Sequence, residues 1–416
     1  MEYGLIGQKL GHSFSKLIHN EICDYDYELC ELEKEEICSF FTNKKFKAVN
    51  VTIPYKQEVM QYIDCIDKNA LQIGAVNTVV NKNGVLYGYN TDFSGMCALI
   101  NKMGADLNGK KVLILGSGGT SKTAFAVALS LGAKTVERVS RSANDGAISY
   151  ETMYAKHTDA DFIINTTPLG MYPNNDGCAV DLDKFTNLSG VADAVYNPLC
   201  TTLVLNAKNR GINAMGGLYM LVAQAVFAAT LFTGKTFDEN CIDTVYKKLL
   251  LSQQNIVLIG MPGCGKSTMG KLLSSRLGRE FIDTDEVIEQ VAGTKISEIF
   301  ALQGENAFRD IESDVIKSVS KTGGKIIATG GGAVLRPQNV FALRQNGFII
   351  FLNRDLESLP ATDSRPLSNN REKLEKLYKT RLPIYRSVCD TEINTVLGKQ
   401  QNLNKIIEVC GLESNN

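Results

Sequence analysis

The chain has 416 residues, of which 44% are apolar and 21% charged, and this size and composition predict two or three globular domains with their own cores. The formal net charge of −1 argues against a polyanion-binding protein, so we expect no nucleic-acid partner. The eleven cysteines form no Cys-x-x-Cys pair, and no apolar run reaches the roughly 20 residues of a membrane-spanning helix. We therefore expect reduced thiols, no membrane partner and a cytoplasmic location, while the oligomeric state stays open.

The first 100 residues alternate short predicted strands with predicted helices. The strands are expected at 3–6, 27–31, 48–51 and 76–80, and the helices at 17–23, 34–41 and 93–103. Polar residues collect near the ends of these elements in three clusters, at 11–15, 50–56 and 90–92. Because ligands of open α/β sheets usually bind beyond strand ends, these clusters contain candidate binding residues.

Each cluster also has an ordinary structural interpretation. Ser13 and Ser15 are suited to presenting two hydroxyl groups to one carboxylate, and equally suited to capping the helix that follows. Lys56 is typical of a surface lysine, and Asp92 is typical of a helix N-cap. Taken one at a time, these residues do not decide between binding and structure.

A dinucleotide-binding turn is predicted next. An apolar strand at 111–115 leads into Gly116-Ser117-Gly118-Gly119-Thr120, with Ser121 where the third glycine of G-x-G-x-x-G usually stands. The following strand, 135–139, ends in Ser140-Arg141-Ser142 without an acidic residue. Since an acid binds a ribose hydroxyl and an arginine with hydroxyls suits a 2′-phosphate, NADP is favoured over NAD. A plain glycine turn in a βα unit is the alternative.

A P-loop is predicted in the second part of the chain. The apolar strand 256–259 is followed by Gly260-x-x-x-x-Gly265-Lys266-Ser267 and then by a helical pattern, which is the context that a P-loop requires. Backbone N–H groups and Lys266 suit phosphate oxygens, and the Ser267 hydroxyl is placed to hold Mg²⁺. A P-loop usually opens its domain, so we expect a linker at 251–254. The alternative is a glycine loop feeding an ordinary helix.

Further polar residues follow the P-loop at predicted strand and helix ends. Asp283 and Asp285 follow a strand at spacing i, i+2, so that their carboxylates can share one polar site. Arg309 and Glu312 lie three residues apart on one helix face, where a simple surface ion pair is the ordinary interpretation. A strand predicted at 326–329 ends in three consecutive glycines.

The clusters of residues 1–250, in this order, resemble shikimate dehydrogenases. The resemblance implies that Lys56 is the acid/base and works beside Asp92 in reducing a ketone with NADPH. It implies a substrate site formed by Ser13, Ser15, Thr52, Asn77, Asp92, Tyr196 and Gln224. It also implies an NADP site formed by Gly116, Ser117, Gly118, Gly119, Thr120, Ser140, Arg141 and Ser142, with Ala194 and Gly217 near the nicotinamide. For Gln224, a glutamine bonded within a helix interface is the alternative.

The second part of the chain, from about residue 253, resembles shikimate kinases. The resemblance implies ATP along Gly263, Cys264, Gly265, Lys266, Ser267 and Thr268, with Arg365 closing over the phosphates from a proline-bearing segment, 360–370, that predicts a lid. It implies that Asp285, Arg309, Gly331 and Arg381 hold shikimate, and that Asp285 can take the proton of the attacking hydroxyl. Magnesium is implied on Ser267 and, through water, on Asp283.

The sequence therefore predicts an α/β protein of three parts. These are an α/β substrate domain (1–103, with 216–250 packing back onto it), a Rossmann-type NADP domain (104–215), and a three-layer P-loop domain similar to nucleoside monophosphate kinases (255–416). The implied function is bifunctional: NADPH reduces 3-dehydroshikimate, and ATP then phosphorylates shikimate. Two alternatives stay open, a kinase-like half that binds nucleotide only in a regulatory role, and a quinate-type dehydrogenase that uses NAD.

Overall fold

The structure of the protein is a computed structural model that describes residues 1–11, 13–143, 146–238, 240–359, 371–395 and 398–412. The chain divides into two compact units, Met1–Leu249 and Leu250–Asn416. Each unit contains its own parallel or mixed sheets and its own apolar clusters. The two units are therefore described one after the other.

The first part of unit 1 is a six-stranded mixed sheet with helices. Its elements are β1 (Tyr3–Gly7), α1 (Ser15–Ile22), β2 (Tyr27–Glu31), α2 (Lys34–Asn43), β3 (Ala48–Val51), β4 (Cys65–Ile66), α3 (Lys68–Ile73), β5 (Thr78–Lys82), β6 (Val85–Tyr89) and α4 (Thr91–Lys102). The strand order is β2-β1-β3-β5-β6-β4, with β5 antiparallel to both of its neighbours. Successive residues of one strand enter different cores, as Leu5 and Ile6 do, so both faces of this sheet are covered.

The second part of unit 1 is a five-stranded parallel sheet. Its elements are β7 (Lys111–Leu115), α5 (Gly119–Ser130), β8 (Thr135–Val139), α6 (Tyr150–Lys156), β9 (Phe162–Asn165), β10 (Gly190–Asp193), α7 (Thr202–Asn209) and β11 (Asn213–Met215). The strand order is β11-β10-β9-β7-β8, with every pair parallel. Val112 and Ile114 enter one apolar core and Leu113 and Leu115 enter the other, which explains the uninterrupted apolar run of β7.

Two further helices follow in the chain, α8 (Leu218–Thr233) in unit 1 and α9 (Cys241–Gln253), whose last residues from Leu250 onwards belong to unit 2. Helix α8 packs closely along α4: a Cβ added at Gly95 would lie 2.7 Å from the Met220 carbonyl oxygen. This packing brings Gln224 beside the N-terminus of α4. Helix α9 runs through residues 251–253, so most of the segment that we expected to be a linker is helical.

Unit 2 is a parallel five-stranded sheet covered by helices. Its elements are β12 (Asn255–Ile259), α10 (Lys266–Leu277), β13 (Phe281–Asp283), α11 (Thr284–Ala292), α12 (Ile296–Val319), β14 (Ile326–Ala328), α13 (Pro337–Asn346), β15 (Gly347–Asn353), α14 (Arg371–Val388), β16 (Thr391–Asn394) and α15 (Lys399–Val409). The strand order is β13-β14-β12-β15-β16. The central strand β12 is fully buried, and its carboxyl end leads directly into the glycine loop at 260–265. The doubly covered parallel sheets confirm the predicted α/β fold class.

Several predicted boundaries differ from the observed ones. Helix α4 begins at Thr91 and not at residue 93, because Asn90 caps it by accepting a hydrogen bond from the Phe93 N–H. The interpretation of Asp92 as the N-cap was therefore wrong, since Asp92 lies inside the first turn. Strand β5 begins at Thr78, two residues later than predicted, which leaves Asn77 just before the strand. Within the described residues, no helix is both long enough and apolar enough to cross a membrane.

Candidate active sites

Lys56 and Asp92 form the centre of the first candidate site. Lys56 Nζ donates to Asp92 Oδ2 at 2.7 Å, and only 21% and 14% of the two side chains are exposed. Lys56 follows β3, and its carbonyl accepts the Val76 N–H at 2.8 Å, whereas Asp92 lies in the first turn of α4. The ammonium group is therefore held in place by a carboxylate from another element, as a proton donor requires.

A polar network lies next to this pair. The Asn77 carboxamide donates to Thr91 Oγ1 at 3.1 Å and accepts the Thr91 N–H at 2.7 Å. Thr91 Oγ1 in turn lies 3.4 Å from Gln224 Oε1, while Gln224 Nε2 donates to the Leu221 carbonyl. Asn77 and Gln224 are thus joined through Thr91, a member of the 90–92 cluster to which the sequence had given no role of its own. Both predicted substrate residues therefore contact Thr91, which is the neighbour of Asp92 in the chain.

The serines lie at the start of α1. Ser13 Oγ lies 3.1 Å from Ser15 Oγ and accepts the Ser15 N–H at 3.2 Å, so the two hydroxyl groups are adjacent. Neither is the N-cap of α1, because that position belongs to Phe14 and carries no side-chain cap. The Phe14 ring packs on the Tyr196 ring at a centroid distance of 5.5 Å, and burial raises the pKa of Tyr196. The serine pair and the predicted substrate tyrosine are therefore near one another.

Thr52 lies at the end of the neighbouring strand. Its N–H donates to the Ile6 carbonyl at 2.9 Å, and its methyl group would lie 2.6 Å from a Cβ added at Gly7. Strands β1 and β3 are parallel neighbours, so their carboxyl ends place Thr52 at the same sheet edge as the serine cluster.

The glycine turn after β7 is open on the side where a dinucleotide would approach. A Cβ added at Gly118 or Gly119 meets no atom within 4 Å, so the backbone N–H groups at the start of α5 are accessible. Ser121, in place of the third glycine, is fully buried and donates to the Gly116 carbonyl at 2.7 Å, which ties the turn to its helix. Arg141 and Ser142 are exposed beyond the tip of β8, and Ser142 Oγ lies 3.5 Å from Ser140 Oγ. These residues suit the pyrophosphate and the 2′-phosphate of an NADP molecule.

Ala194 and Gly217 are in direct contact. A Cβ added at Gly217 would lie 2.2 Å from the Ala194 carbonyl oxygen, and the Gly217 N–H donates to the Val195 carbonyl at 2.9 Å. Only a glycine allows this approach of two backbones. The loop after β10 and the start of α8 are therefore fixed to each other where the sequence places the nicotinamide.

The P-loop forms the second candidate site. Lys266 is 91% buried, and its Nζ donates to the Gly260 and Met261 carbonyls at 2.9 and 3.1 Å. Cys264 is buried under the same loop, with its Sγ 3.9 Å from Lys266 Nζ. Ser267 Oγ donates to Asp283 Oδ2 at 2.5 Å, so two oxygen ligands are adjacent. Magnesium takes few protein oxygens and completes its shell with water and phosphate, so this pair is sufficient for it.

A glycine triplet gathers the predicted shikimate-binding residues of unit 2. A Cβ added at Gly330 would lie 2.7 Å from Asp285 Oδ1 and 2.9 Å from Glu312 Oε1, and one added at Gly332 would lie within 2.5 Å of the Arg309 guanidinium. Asp285, Arg309 and Glu312 therefore converge on the backbone of this loop. Gly331 lies between them and accepts a hydrogen bond from Tyr385 through its carbonyl.

The Arg309–Glu312 pair is buried, so its interpretation as a surface ion pair was wrong. Arg309 Nη1 donates to Glu312 Oε2 at 2.7 Å, and Glu312 has no exposed surface. Burial raises the pKa of Glu312, and the charges of Arg309, Arg381 and Arg336 oppose the rise. Among the described residues no partner is found for Glu312 Oε1, while Arg381 is 96% buried on α14. Arg365 lies outside the described residues, so its predicted role stays a prediction.

Thr91, Glu312 and Tyr385 are the site residues that sequence reasoning missed or undervalued. Thr91 had been noted within the 90–92 cluster but given no role, and Glu312 had been noted three positions after Arg309 on one helix face. Both signals were therefore present, but neither spacing reveals burial. Tyr385 carried no signal, because its hydroxyl reaches Gly331 across 54 residues of sequence.

Comparisons with known proteins divide along the two units. A family model described as shikimate dehydrogenase substrate binding domain matches residues 5–79, and a model described as shikimate kinase matches residues 262–411. The chain is 38% identical over 260 residues to the shikimate dehydrogenase (NADP(+)) of Clostridium beijerinckii, a match that covers 59% of this chain and 96% of that protein.

Two solved structures resemble the first part of the chain. Shikimate dehydrogenase 1 from Peptoclostridium difficile matches with 34% identity and a TM-score of 0.55, covering 60% of this chain and 98% of the other. Shikimate 5-dehydrogenase from Thermus thermophilus, solved in complex with NADP(H) and shikimate, matches with 25% identity and a TM-score of 0.55, covering 60% and 99%.

Proposed function

This chain belongs to the shikimate dehydrogenase family and carries a shikimate kinase domain after it, and from this premise we propose that it catalyses two consecutive reactions. In the first, 3-dehydroshikimate is reduced to shikimate with NADPH. In the second, shikimate is phosphorylated on its 3-hydroxyl group with ATP. The product of the first site is the substrate of the second, which gives a chemical reason for joining the two enzymes in one chain.

The ion pair of Lys56 with Asp92 is the observation that carries the first reaction. When bound, NADPH supplies the hydride. Lys56 then stands where it can stabilise and protonate the oxygen of the former ketone, while Asp92 keeps the ammonium group oriented at 2.7 Å. Asn77 and Gln224, fixed through Thr91, are suited to the ring hydroxyls, and the adjacent Ser13 and Ser15 hydroxyls to the carboxylate.

The convergence at the glycine triplet 330–332 supports the second reaction. Arg309 and Arg381 are buried guanidinium groups suited to the carboxylate of shikimate, and Asp285 is suited to accept the proton of the attacking hydroxyl. Ser267 and Asp283 would hold Mg²⁺, which neutralises charge on the phosphates when bound. Lys266 and the P-loop N–H groups would hold the triphosphate.

The tip of β8 and the free cysteines support proposals on the cofactor and on the cellular location. Arg141 and Ser142 at the exposed tip of β8 favour NADP over NAD, and a comparison of turnover with the two cofactors tests this. The eleven free cysteines suit a reducing compartment, for which the cytoplasm is our proposal. Small-molecule substrates are the expected partners.

The function is tested by mass spectrometry of one reaction mixture. The full chain is incubated with 3-dehydroshikimate, NADPH, ATP and Mg²⁺, and shikimate 3-phosphate is the expected product. Without ATP the reaction is expected to stop at shikimate, and with shikimate and ATP alone it is expected to give the phosphate. If neither product forms under any condition, the proposed function is wrong.

A variant of the P-loop lysine separates the proposal from its main alternative. Lys266→Ala is expected to stop the reaction at shikimate while reduction continues, because the ammonium group that contacts the phosphates is gone. If the unmodified chain also stops at shikimate, unit 2 is a nucleotide-binding module without turnover. The reduction rate with and without ATP would then show whether that module regulates unit 1.

A further inference from the structure

Asp193 is a fully buried carboxylate to which the mechanism above assigns no role. It is the last residue of β10 and has no exposed surface. Its Oδ1 accepts hydrogen bonds from Asn165 Nδ2 at 2.9 Å and from the Val195 N–H at 3.0 Å, and its Oδ2 accepts one from Thr201 Oγ1 at 2.6 Å. A carboxylate is usually buried with a cation, yet all three of these donors are neutral.

The three donors belong to segments that would surround the reacting groups. Asn165 ends β9, next to the loop that faces the glycine turn at Gly116. Val195 and Thr201 lie at or next to the two ends of residues 194–201, which we call the 194–201 loop. The peptide of Val195 links Asp193 to α8, because its N–H donates to the carboxylate and its carbonyl accepts the Gly217 N–H at 2.9 Å.

The 194–201 loop carries one residue of each predicted binding site. Ala194 contacts Gly217 at the place assigned to the nicotinamide, and Tyr196 packs on Phe14 beside the serine pair. Only Val195 separates the cofactor contact from the substrate contact. A shift of this loop would therefore change the spacing of the two reactants, and hydride transfer is sensitive to misplacement on the scale of 1 Å.

We propose that Asp193 is a positioning residue of the dehydrogenase, whose ionised carboxylate holds the 194–201 loop against β9 and so fixes the spacing between cofactor and substrate. The inference rests on the proposed function, because the roles of Ala194 and Tyr196 belong to that proposal. An ionised carboxylate accepts all three hydrogen bonds. Protonation of Oδ1 would set an O–H group against the Asn165 and Val195 N–H donors, and protonation of Oδ2 would require the Thr201 hydroxyl to reverse and accept.

Protonation of Asp193 falls within the working range of an enzyme. Burial raises the pKa of Asp193 from its ordinary 3.8 to about 6, and the hydrogen bonds from Thr201, Val195 and Asn165 oppose the rise. The titratable group that senses its charge is the Cys178 thiol, whose pKa is raised mainly by burial and also by Asp193, so this thiol stays neutral at that pH. Reduction is therefore expected to weaken as the pH falls through about 6.

The test is a pH profile of kcat/KM for reduction of 3-dehydroshikimate by the full chain. Asp193→Asn is expected to lower kcat by about ten-fold or more, to change the KM for NADPH little, and to remove the acid limb near pH 6. Phosphorylation by the same chain is the internal control, and Asp183→Asn is the matched control, because Asp183 is an exposed aspartate paired with Arg210. If the unmodified chain reduces nothing, the proposed function fails and not only this inference.

Two substitutions of Thr201 provide a second test that does not remove the carboxylate. Thr201→Val deletes a donor to the charged form, so the pKa of Asp193 rises further and the acid limb moves to higher pH. Thr201→Ser keeps the hydroxyl and is expected to keep the original limb. If Asp193→Asn does not fold, the comparison of Thr201→Val with Thr201→Ser decides whether the inference holds. An acid limb that is the same in Asp193→Asn, or that does not move in Thr201→Val, overturns the inference.

Discussion

Lys56 lies in an environment that suits a proton donor better than a surface lysine. Its side chain is mostly covered. The Asp92 carboxylate holds the ammonium group, and the hydrogen bond from the Val76 N–H to the Lys56 carbonyl holds the backbone. We expect Lys56→Met to lower the rate of reduction by about 10²- to 10⁴-fold, the usual contribution of general acid–base catalysis. Reduction is followed by NADPH absorbance, and phosphorylation by the same chain is expected to stay normal. An unchanged rate would remove Lys56 from the mechanism.

Glu312 is predicted to control how unit 2 binds its acid substrate. Its carboxylate holds the buried Arg309 guanidinium beside Gly332. Loss of the carboxylate charge leaves the buried positive charge of Arg309 uncompensated on this side. Glu312→Gln is expected to raise the KM for shikimate about ten-fold, since a neutral acceptor replaces a charged one. Burial raises the pKa of Glu312, so its ionised form is lost on acidification earlier than for an ordinary glutamate, and the Gln variant is expected to lack that acid limb.

The matched control for Glu312 is Glu305, the other carboxylate that contacts Arg309. Glu305 Oε1 lies 3.1 Å from Arg309 Nη2, but 48% of the Glu305 side chain is exposed. Exposed ion pairs contribute little, so Glu305→Gln is expected to change the KM for shikimate by less than about two-fold. Equal effects of the two substitutions would contradict the role given to burial.

At the scale of single residues, the sequence supplied candidate side chains but not their surroundings. Asp92 and Lys56 were recognisable as a pair only through the family resemblance, because 36 residues separate them. The burial of Glu312, and the position of Asp193 among three neutral donors, depend on elements that come together only in the folded chain. Composition and spacing carry no information on such long-range contacts.

Among the elements, the start of α8 is predicted to tolerate added volume poorly. A methyl group at Gly217 would lie 2.2 Å from the Ala194 carbonyl oxygen and 2.6 Å from its carbonyl carbon, and these backbone atoms cannot turn away as a flexible side chain can. Gly217→Ala is expected to destabilise unit 1 by about 1–3 kcal/mol and to lower the reduction rate, because the 194–201 loop must move. Thermal unfolding and NADPH turnover measure the two effects.

Gly398 provides the control for this substitution. Its φ is −58°, and an added Cβ would meet only the end of the Gln401 side chain at 4.0 Å. Gly398→Ala is therefore expected to leave both activities and the unfolding temperature near those of the unmodified chain. If Gly217→Ala behaves in the same way, the close approach of Ala194 and Gly217 is not required.

Helix and strand limits were predictable where apolar periodicity continues to the end of the element, and not elsewhere. Strand β7 was predicted to the residue, because all of its inner positions are apolar and both faces are covered. The start of helix α4 was predicted two residues too late, since its first turn is polar and capped by Asn90. Helix α9 passes through the expected linker because Leu249 is buried in the last turns, a contact that local composition does not reveal.

At the scale of the whole molecule, the fold class was predictable because each phosphate-binding turn requires a strand before it and a helix after it. Two such turns, at 116–120 and 260–267, therefore implied two parallel sheets before any strand order was known. The mixed sheet at the start of the chain was only partly predicted: β4 has only two residues and β6 contains Gly88, and neither was recognised. The places of β4 and β6 in the sheet are set by the strands that they pair with, and their own residues do not specify them.

The two activities are predicted to survive separation, provided that the cut respects the end of α9. Each described apolar cluster lies within one unit. The last turn of α9 belongs to unit 2, however: Arg279 donates to the Leu251 and Gln254 carbonyls at 2.6 and 2.9 Å, and the Gly324 N–H donates to the Gln253 carbonyl at 2.9 Å. We therefore expect fragments 1–253 and 250–416, which overlap in this turn, to keep reduction and phosphorylation within about two-fold of the full chain.

A shorter kinase fragment, 255–416, is the control for that design. It lacks the carbonyl groups that Arg279 and Gly324 bind, and burial already lowers the pKa of Arg279, so its guanidinium would be left half-buried with fewer partners. Such a loss costs about 1–3 kcal/mol, which urea unfolding of the two kinase fragments measures as a lower midpoint for the shorter one. If fragment 1–253 loses reduction or fragment 250–416 loses phosphorylation, the two units depend on each other. Equal urea midpoints of fragments 250–416 and 255–416 would show that the turn at 250–254 is not part of the kinase fold.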